Sequence, residues 1–353
     1  MKINKKARTI AICIAVFSVF YVFLALRPLS TELHLAPEWT EDISHLQEKK
    51  DDDILLPFHL SQSMGYFTPD GRIVSLIMFP FKGAISESYY ASYSADSSSV
   101  DFFKSDGSKA GVIEEYGFPY FADDKIFVFL PGGSSFVQCN SEGKREWLYE
   151  SYAPVTAFSS SEGGTVAGFA DGTLVSFAQD GTIDQKFMPG GSKYAVILGA
   201  GISKDGKTVA CVSGQNQQRF VVARKNGEHS QIIFHEYLPD DFNNQVVVAF
   251  NDAMDTVYYN YKGGIGIVDL KHLKSSHLPL EGLVTQIVES KKNNLIYVLS
   301  RNAEEYTVTI IEPFDNLVGS FHFKAKSAFV QVKDDMLFIG RDNKISRLSV
   351  SRK

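Results

Sequence analysis

The sequence predicts an all-β chain built from one repeated unit, and three observations carry that reading. The first is a recurring pattern in which an alternating apolar run enters a polar turn. It is clearest at residues 135–143 (SFVQCNSEG). It returns at 63–71 (SMGYFTPDG), 99–107 (SVDFFKSDG), 173–181 (TLVSFAQDG) and 219–227 (RFVVARKNG), with weaker copies at 265–273 and 308–316. The second is spacing: from Gly71 the turns follow at intervals of 36, 36, 38, 46, 46 and 43 residues. The third is composition, 44% hydrophobic and 13% aromatic, which suits a large packed core and excludes a disordered chain. A repeat of about 40 residues made of short strands is the signature of a β-propeller.

Residues 1–8 read as a cytoplasmic basic tail, with Lys2, Lys5, Lys6 and Arg8 and no acid. Residues 9–26 are an apolar run whose only polar members are Thr9, Ser18 and the hydroxyl of Tyr21. Such a run is long enough to span a bilayer as a helix. Its exit, Ala25-Leu26-Arg27-Pro28, is a poor cleavage site, and no cysteine follows it to carry a lipid. The expectation is an uncleaved signal-anchor crossing the inner (cytoplasmic) membrane once. The positive-inside rule then puts the body in the periplasm or outside the cell. A cleaved signal is the alternative.

Residues 27–50 are expected to form a linker, with the alternating ELHLA at 32–36 as a candidate closing strand. The mixed charges of 48–53 read as a solvated turn. The propeller itself is expected over 51–353. Each glycine turn is preceded by two further extended runs, as at 155–158 and 165–170. The unit is therefore four antiparallel strands, two inside and a hairpin outside. Glycine allows the positive φ such a hairpin turn requires, and Asn316 fits the same place, whereas Leu273 does not.

Eight strands that enter such hairpins begin near residues 64, 99, 135, 173, 219, 265, 308 and 344. The last has no strand after it, and residues 32–36 would pair with it and close an eight-blade ring. Seven blades is the alternative, with 54–71 irregular and 73–78 closing the ring. Two insertions interrupt the spacing: 188–194, containing Gly190 and Gly191, and 235–244, containing Pro239, Asp240 and Asp241. Long loops on a rigid scaffold are where binding residues collect, so these five are the candidate interaction residues.

Function is bounded mainly by exclusion. Without the basic tail, 31 basic residues face 41 acidic ones, the wrong balance for nucleic acid. Cys139 and Cys211 lie in different repeats and are expected as buried free thiols. No Cys/His spacing suggests zinc, no DxDxDG suggests calcium and no GxSxG suggests a serine hydrolase. The Asp-Gly pairs read as turn chemistry. No catalytic residue, cofactor or metal is expected, and the protein is not expected to be an enzyme.

The hairpin FVQCNSEGKREW at 136–147, with its Gly-Lys turn and Trp147, resembles the repeat of the quinoprotein-like (PQQ-like) propeller superfamily. Phe187 and Phe321 stand in related places. The Trp-Asp dipeptides of WD40 propellers are absent. Enzymes of the superfamily bind pyrroloquinoline quinone with calcium, using paired cysteines that this chain lacks. An eight-blade ring anchored in the envelope looks like the propeller subunit of the outer-membrane β-barrel assembly machinery. That resemblance implies a protein-interaction scaffold with an envelope or membrane protein as partner. The alternative is a small-ligand sensor or enzyme using the central channel, which would need several acidic or histidine side chains converging at one mouth.

Overall fold

The computed structural model describes residues 13–18, 20–21, 33–94, 96–227, 229–313 and 315–352. Among the described residues 31 strands make eight antiparallel sheets, taken in chain order as blades. The first strand, β1 (Leu33–Asp42), stands apart from its sequence neighbours. Blade one holds β2 (Leu56–Leu60), β3 (Ser63–Phe67) and β4 (Ile73–Met78). Blade two holds β5 (Lys82–Ile85), β6 (Tyr89–Tyr93), β7 (Val100–Lys104) and β8 (Lys109–Ile113). Blade three holds β9 (Phe118–Ala122), β10 (Lys125–Phe129), β11 (Ser135–Cys139) and β12 (Arg145–Glu150). Blade four holds β13 (Val155–Ser161), β14 (Gly164–Phe169), β15 (Leu174–Phe177) and β16 (Ile183–Phe187).

Blade five holds β17 (Tyr194–Ile202), β18 (Thr208–Gln215), β19 (Arg219–Asn226) and β20 (His229–Tyr237). Blade six holds β21 (Val248–Phe250), β22 (Thr256–Tyr261), β23 (Gly264–Asp269) and β24 (Lys274–Pro279). Blade seven holds β25 (Leu283–Ser290), β26 (Leu295–Asn302), β27 (Glu305–Glu312) and β28 (Asn316–Lys324). Blade eight holds β29 (Ala328–Lys333), β30 (Met336–Arg341) and β31 (Lys344–Arg352), and its fourth strand is β1. The ring has eight blades, so residues 54–71 are not irregular and 73–78 closes blade one, not the ring.

Closure is made by β1, antiparallel to β31 from Leu33 opposite Arg352 to Asp42 opposite Lys344. The closing strand thus runs past residues 32–36 and takes in Trp39. Trp39 pairs with Arg347, the fourth residue of β31, as Trp147 pairs with Gln138, the fourth residue of β11. Each indole lies against the hairpin glycine of the next blade, Trp39 on Gly71 and Trp147 on Gly181. The tryptophan of the repeat therefore occurs twice. Phe187 pairs with Leu174, the first residue of β15, and so stands at a different register position, whereas Phe321 pairs with Val308, the fourth residue of β27.

Stability comes from the seams. Seven buried apolar clusters each join two neighbouring blades, such as Phe127, Phe136, Phe169 and Phe177 between blades three and four. Each four-stranded sheet has two apolar faces and covers one with the next sheet, so burial propagates around the ring. The turns behave as their residues dictate. Asp106, Asp171, Asp180 and Asp205 each accept a bond from the backbone N–H two residues on. Two turns differ from expectation: Leu273 itself adopts φ 53°, and at the next hairpin the positive φ falls on Asp315, not on Asn316. Tertiary pairing of β23 with β24 overrides the side chain's preference at Leu273.

Blade one has three strands where the others have four. Residues 46–47 lie instead beside the start of β4, with Leu46 bridged to Ile73 and Gln47 N–H bonded to the Ile73 carbonyl at 2.7 Å. The charge cluster of 48–53 is not wholly solvated. The Asp53 side chain is buried and takes both guanidinium nitrogens of Arg72, Nη1 at 2.8 Å, and the Lys50 N–H at 2.7 Å. The Arg72 bond holds its carboxyl down at about 2. A carboxyl depressed in the folded state stabilises above its ordinary value near 4, and that contribution is lost as pH falls through about 2. Asp53→Asn is therefore expected to lower the melting midpoint at pH 6 and to match the parent near pH 2. Melts across that range check it, and a pH-independent difference would refute it.

Residues 1–12, 19 and 22–32 lie outside the described residues, and with them the basic tail and most of the expected anchor. The described part of that run, 13–18 and 20–21, is helical, with Ile14, Val16, Phe17, Phe20 and Tyr21 exposed. Among the described residues no helix is long and apolar enough to cross a membrane.

Candidate functional site at the rim of blade five

Consecutive strands of a blade run antiparallel, so its turns alternate between the two faces of the ring. The connection from blade four to blade five (188–193), the β18–β19 turn and the connection from blade five to blade six (238–247) therefore share one face. Although about 50 residues apart, the two insertions meet on that turn. Two of its residues have positive φ, Asn216 (57°) and Gln217 (72°), as does Gly214 (84°) at the end of β18. From one side Lys193 N–H donates to the Asn216 carbonyl at 3.0 Å and Ser192 Oγ to the Gln217 carbonyl at 2.6 Å. From the other, the Asp241 carboxylate accepts the N–H groups of Asn216 and Gln218. Gln218 is fully buried and its amide bonds the Phe242 backbone, donating at 3.0 Å and accepting at 3.3 Å.

Of the five candidate residues, Gly190, Gly191 and Asp241 come together here. Asp240 reaches Lys262 of blade six at 3.8 Å, and Pro239 is exposed. The second insertion is shorter than expected, because His235, Glu236 and Tyr237 belong to β20. Glu236 points to the seam with blade six, where it accepts from Tyr259 Oη and from Ser275 Oγ at 2.8 Å.

Sequence reasoning missed the residue at the centre. Arg219 opens β19, and its guanidinium Nη1 donates to the carbonyls of Gly190 at 2.9 Å and Pro189 at 3.4 Å. Residues 219, 221 and 223 share one face of the strand. Val221 and Ala223 pack into the blade four–five seam, so Arg219 sits at its end, 8% exposed. Directly opposite it are Ser213 on β18 and Tyr237 on β20, and its guanidinium carbon lies 5.2 Å from the Tyr237 ring centroid. The signal was present: copies of the repeat begin Ser63, Ser99, Ser135 and Thr173, and this one begins with arginine. Around it Met188, Tyr194 and Tyr237 are more than half exposed.

The channel is different in character. A cavity of about 360 Å³ lies among the innermost strands of blades three to six, lined by Tyr120, Phe158, Leu198, Gln245, Val246 and Val248 among others. Neither a carboxylate nor a histidine lines it. Cys139 and Cys211 are buried free thiols, pushed by burial up to about 12, which leaves them protonated and unreactive. Among the described residues no group of three or more His, Cys, Asp or Glu is arranged to hold a metal.

Comparison with known proteins agrees with this architecture. A family model described as beta-propeller protein matches residues 1–352. A protein of Treponema pallidum (strain Nichols), described as an uncharacterized protein, is 28% identical over 362 residues, covering 99% of this chain and 96% of its own. Among solved structures, BamB from Moraxella catarrhalis superposes with a TM-score of 0.62 at 13% identity, over 90% of this chain and all of that one. The WD40 domain of Toxoplasma gondii coronin gives 0.54 at 10% identity, over 92% and 88%.

Proposed function

The chain belongs to the beta-propeller protein family, and from that premise we propose that it is a non-enzymatic scaffold that grips a protein partner at the rim of blade five. The observation that carries this is the convergence of both long connections on one turn, where Met188, Tyr194 and Tyr237 stand exposed. Exposed aromatic and thioether groups on a rigid frame are the usual anchors of protein interfaces. The apolar run at 9–26 supports presentation from the inner membrane with the ring in the periplasm or outside the cell. The BamB likeness is one of fold, and it fits a role in cell-envelope or outer-membrane protein assembly.

The test is photo-crosslinking in the native host from benzophenone placed at Tyr237 or Tyr194, with Leu317 on β28 as control. One discrete adduct from both rim positions and none from Leu317 is expected. No rim adduct, or the same adduct from Leu317, would refute the reading. The channel cavity favours a second reading, retention of a small apolar ligand, which thermal-shift screening of full-length protein with fatty acids and quinones would reveal.

A further inference from the structure

We infer that Arg219 is the receptor for a carboxylate, supplied by an aspartate or glutamate side chain of the partner that docks on this rim; this rests on the interaction reading above. Arginine taken out of water without a counter-ion costs several kcal/mol, so its charge calls for a partner. Arg219 is more than nine-tenths buried, its Nη1 bonds two backbone carbonyls and its Nε meets no acceptor. Among the described residues no carboxylate pairs with it. Asp241, on the adjoining loop, is occupied by two backbone N–H groups.

A second orphan lies on the same sheet face. Ser213, opposite Arg219 and 4% exposed, has an Oγ with no partner. It borders a cleft of about 40 Å³ together with Met188, Pro189, Gly190, Ser192 and Gly214, while Arg219, bonded to the Pro189 and Gly190 carbonyls, lies behind that lining. Where one water needs about 10–15 Å³, a space of about 40 Å³ admits a small polar group. Gly191 keeps the guanidinium in place, since a Cβ there would stand 2.8 Å from Arg219 Cδ. The rim supplies the rest of a docking surface. Tyr237 stacks on the cation, and Lys193 lies 5.3 Å from the ring centroid of Tyr194. An acidic residue flanked by apolar ones matches this in charge and in surface character.

The experiment uses full-length protein in detergent micelles, labelled with ¹⁵N-arginine, and follows the side-chain Nε–H resonance that disappears in Arg219→Lys. Sodium propionate, propionamide and inorganic phosphate are titrated at constant ionic strength. Propionate is expected to move the resonance along a saturating curve, at least tenfold weaker in Ser213→Ala, with propionamide and phosphate inert. A flat response to propionate, or a saturating one to propionamide or phosphate, would overturn the assignment. Crosslinking from Tyr237 is then repeated in Arg219→Gln. A tenfold loss of adduct is expected. An undiminished adduct leaves the interaction reading standing and removes the carboxylate anchor from it.

Discussion

A chain that begins at Ile43 is expected to lose its cooperative melt altogether, whereas a chain that begins at Thr31 keeps it. The difference between them holds β1, which gives the eighth blade its outer strand. It also contributes Leu33 and Leu35 to the seam between blades seven and eight, and Trp39 to the seam between blades eight and one. Trp39 is half-buried, truncating a fully buried tryptophan costs about 3–5 kcal/mol, and whole domains are stable by only about 5–15 kcal/mol, so the loss of Leu33, Leu35 and Trp39 together removes a large share. Losing β1 also bares the edge of β31 over residues 344–352, a template for pairing with other chains. Circular dichroism melts and size-exclusion chromatography of the two chains read the outcome. A synthetic peptide of residues 33–42 is expected to restore the transition in trans. A short chain that melts within a few degrees of the longer one would show that the ring does not depend on this closure.

The second large effect is expected where Trp147 meets Gly181. Gly181 sits at φ 81°, and a Cβ on it would stand 2.6 Å from Cδ2 of the indole. The indole stacks on Phe177 at 5.4 Å and meets Phe127 and Phe136 edge-on. Gly181→Ala adds left-handed strain of about 1–3 kcal/mol and also displaces the ring. Trp147→Ala is expected to cost about 3–5 kcal/mol through the cavity it leaves. Because part of the alanine penalty at 181 is its collision with Trp147, the double variant should be less damaged than the sum of the two. Urea denaturation of the four proteins measures this coupling, and strict additivity would refute the packing account. At the closing seam the matching contact is looser, 3.0 Å from Gly71 to the Trp39 ring, so Gly71→Ala is expected to be the milder of the two glycine variants.

The blade count, the strands that enter each hairpin and most of the turns were legible because they are local. Alternation, glycine at a reversal and aspartate bonding two residues on all act over a few positions, and the near-constant interval repeats them. Trp39 was not legible as a blade residue, since its role follows from pairing with Arg347, some 300 positions away. Leu273 misled for a related reason: the pairing on either side of it decides a conformation its own side chain disfavours.

The candidate site divides in the same way. By itself the sequence determined that two long connections interrupt the repeat, and that glycines and acids populate them. Only the tertiary structure decided that these connections share a turn, because antiparallel strands return alternate loops to one face. It alone made Arg219 unusual. An arginine at the start of an alternating strand is ordinary until packing removes water from its guanidinium and supplies no carboxylate in exchange. Burial and counter-charge belong to the neighbourhood of a residue in space, and no stretch of sequence contains that neighbourhood.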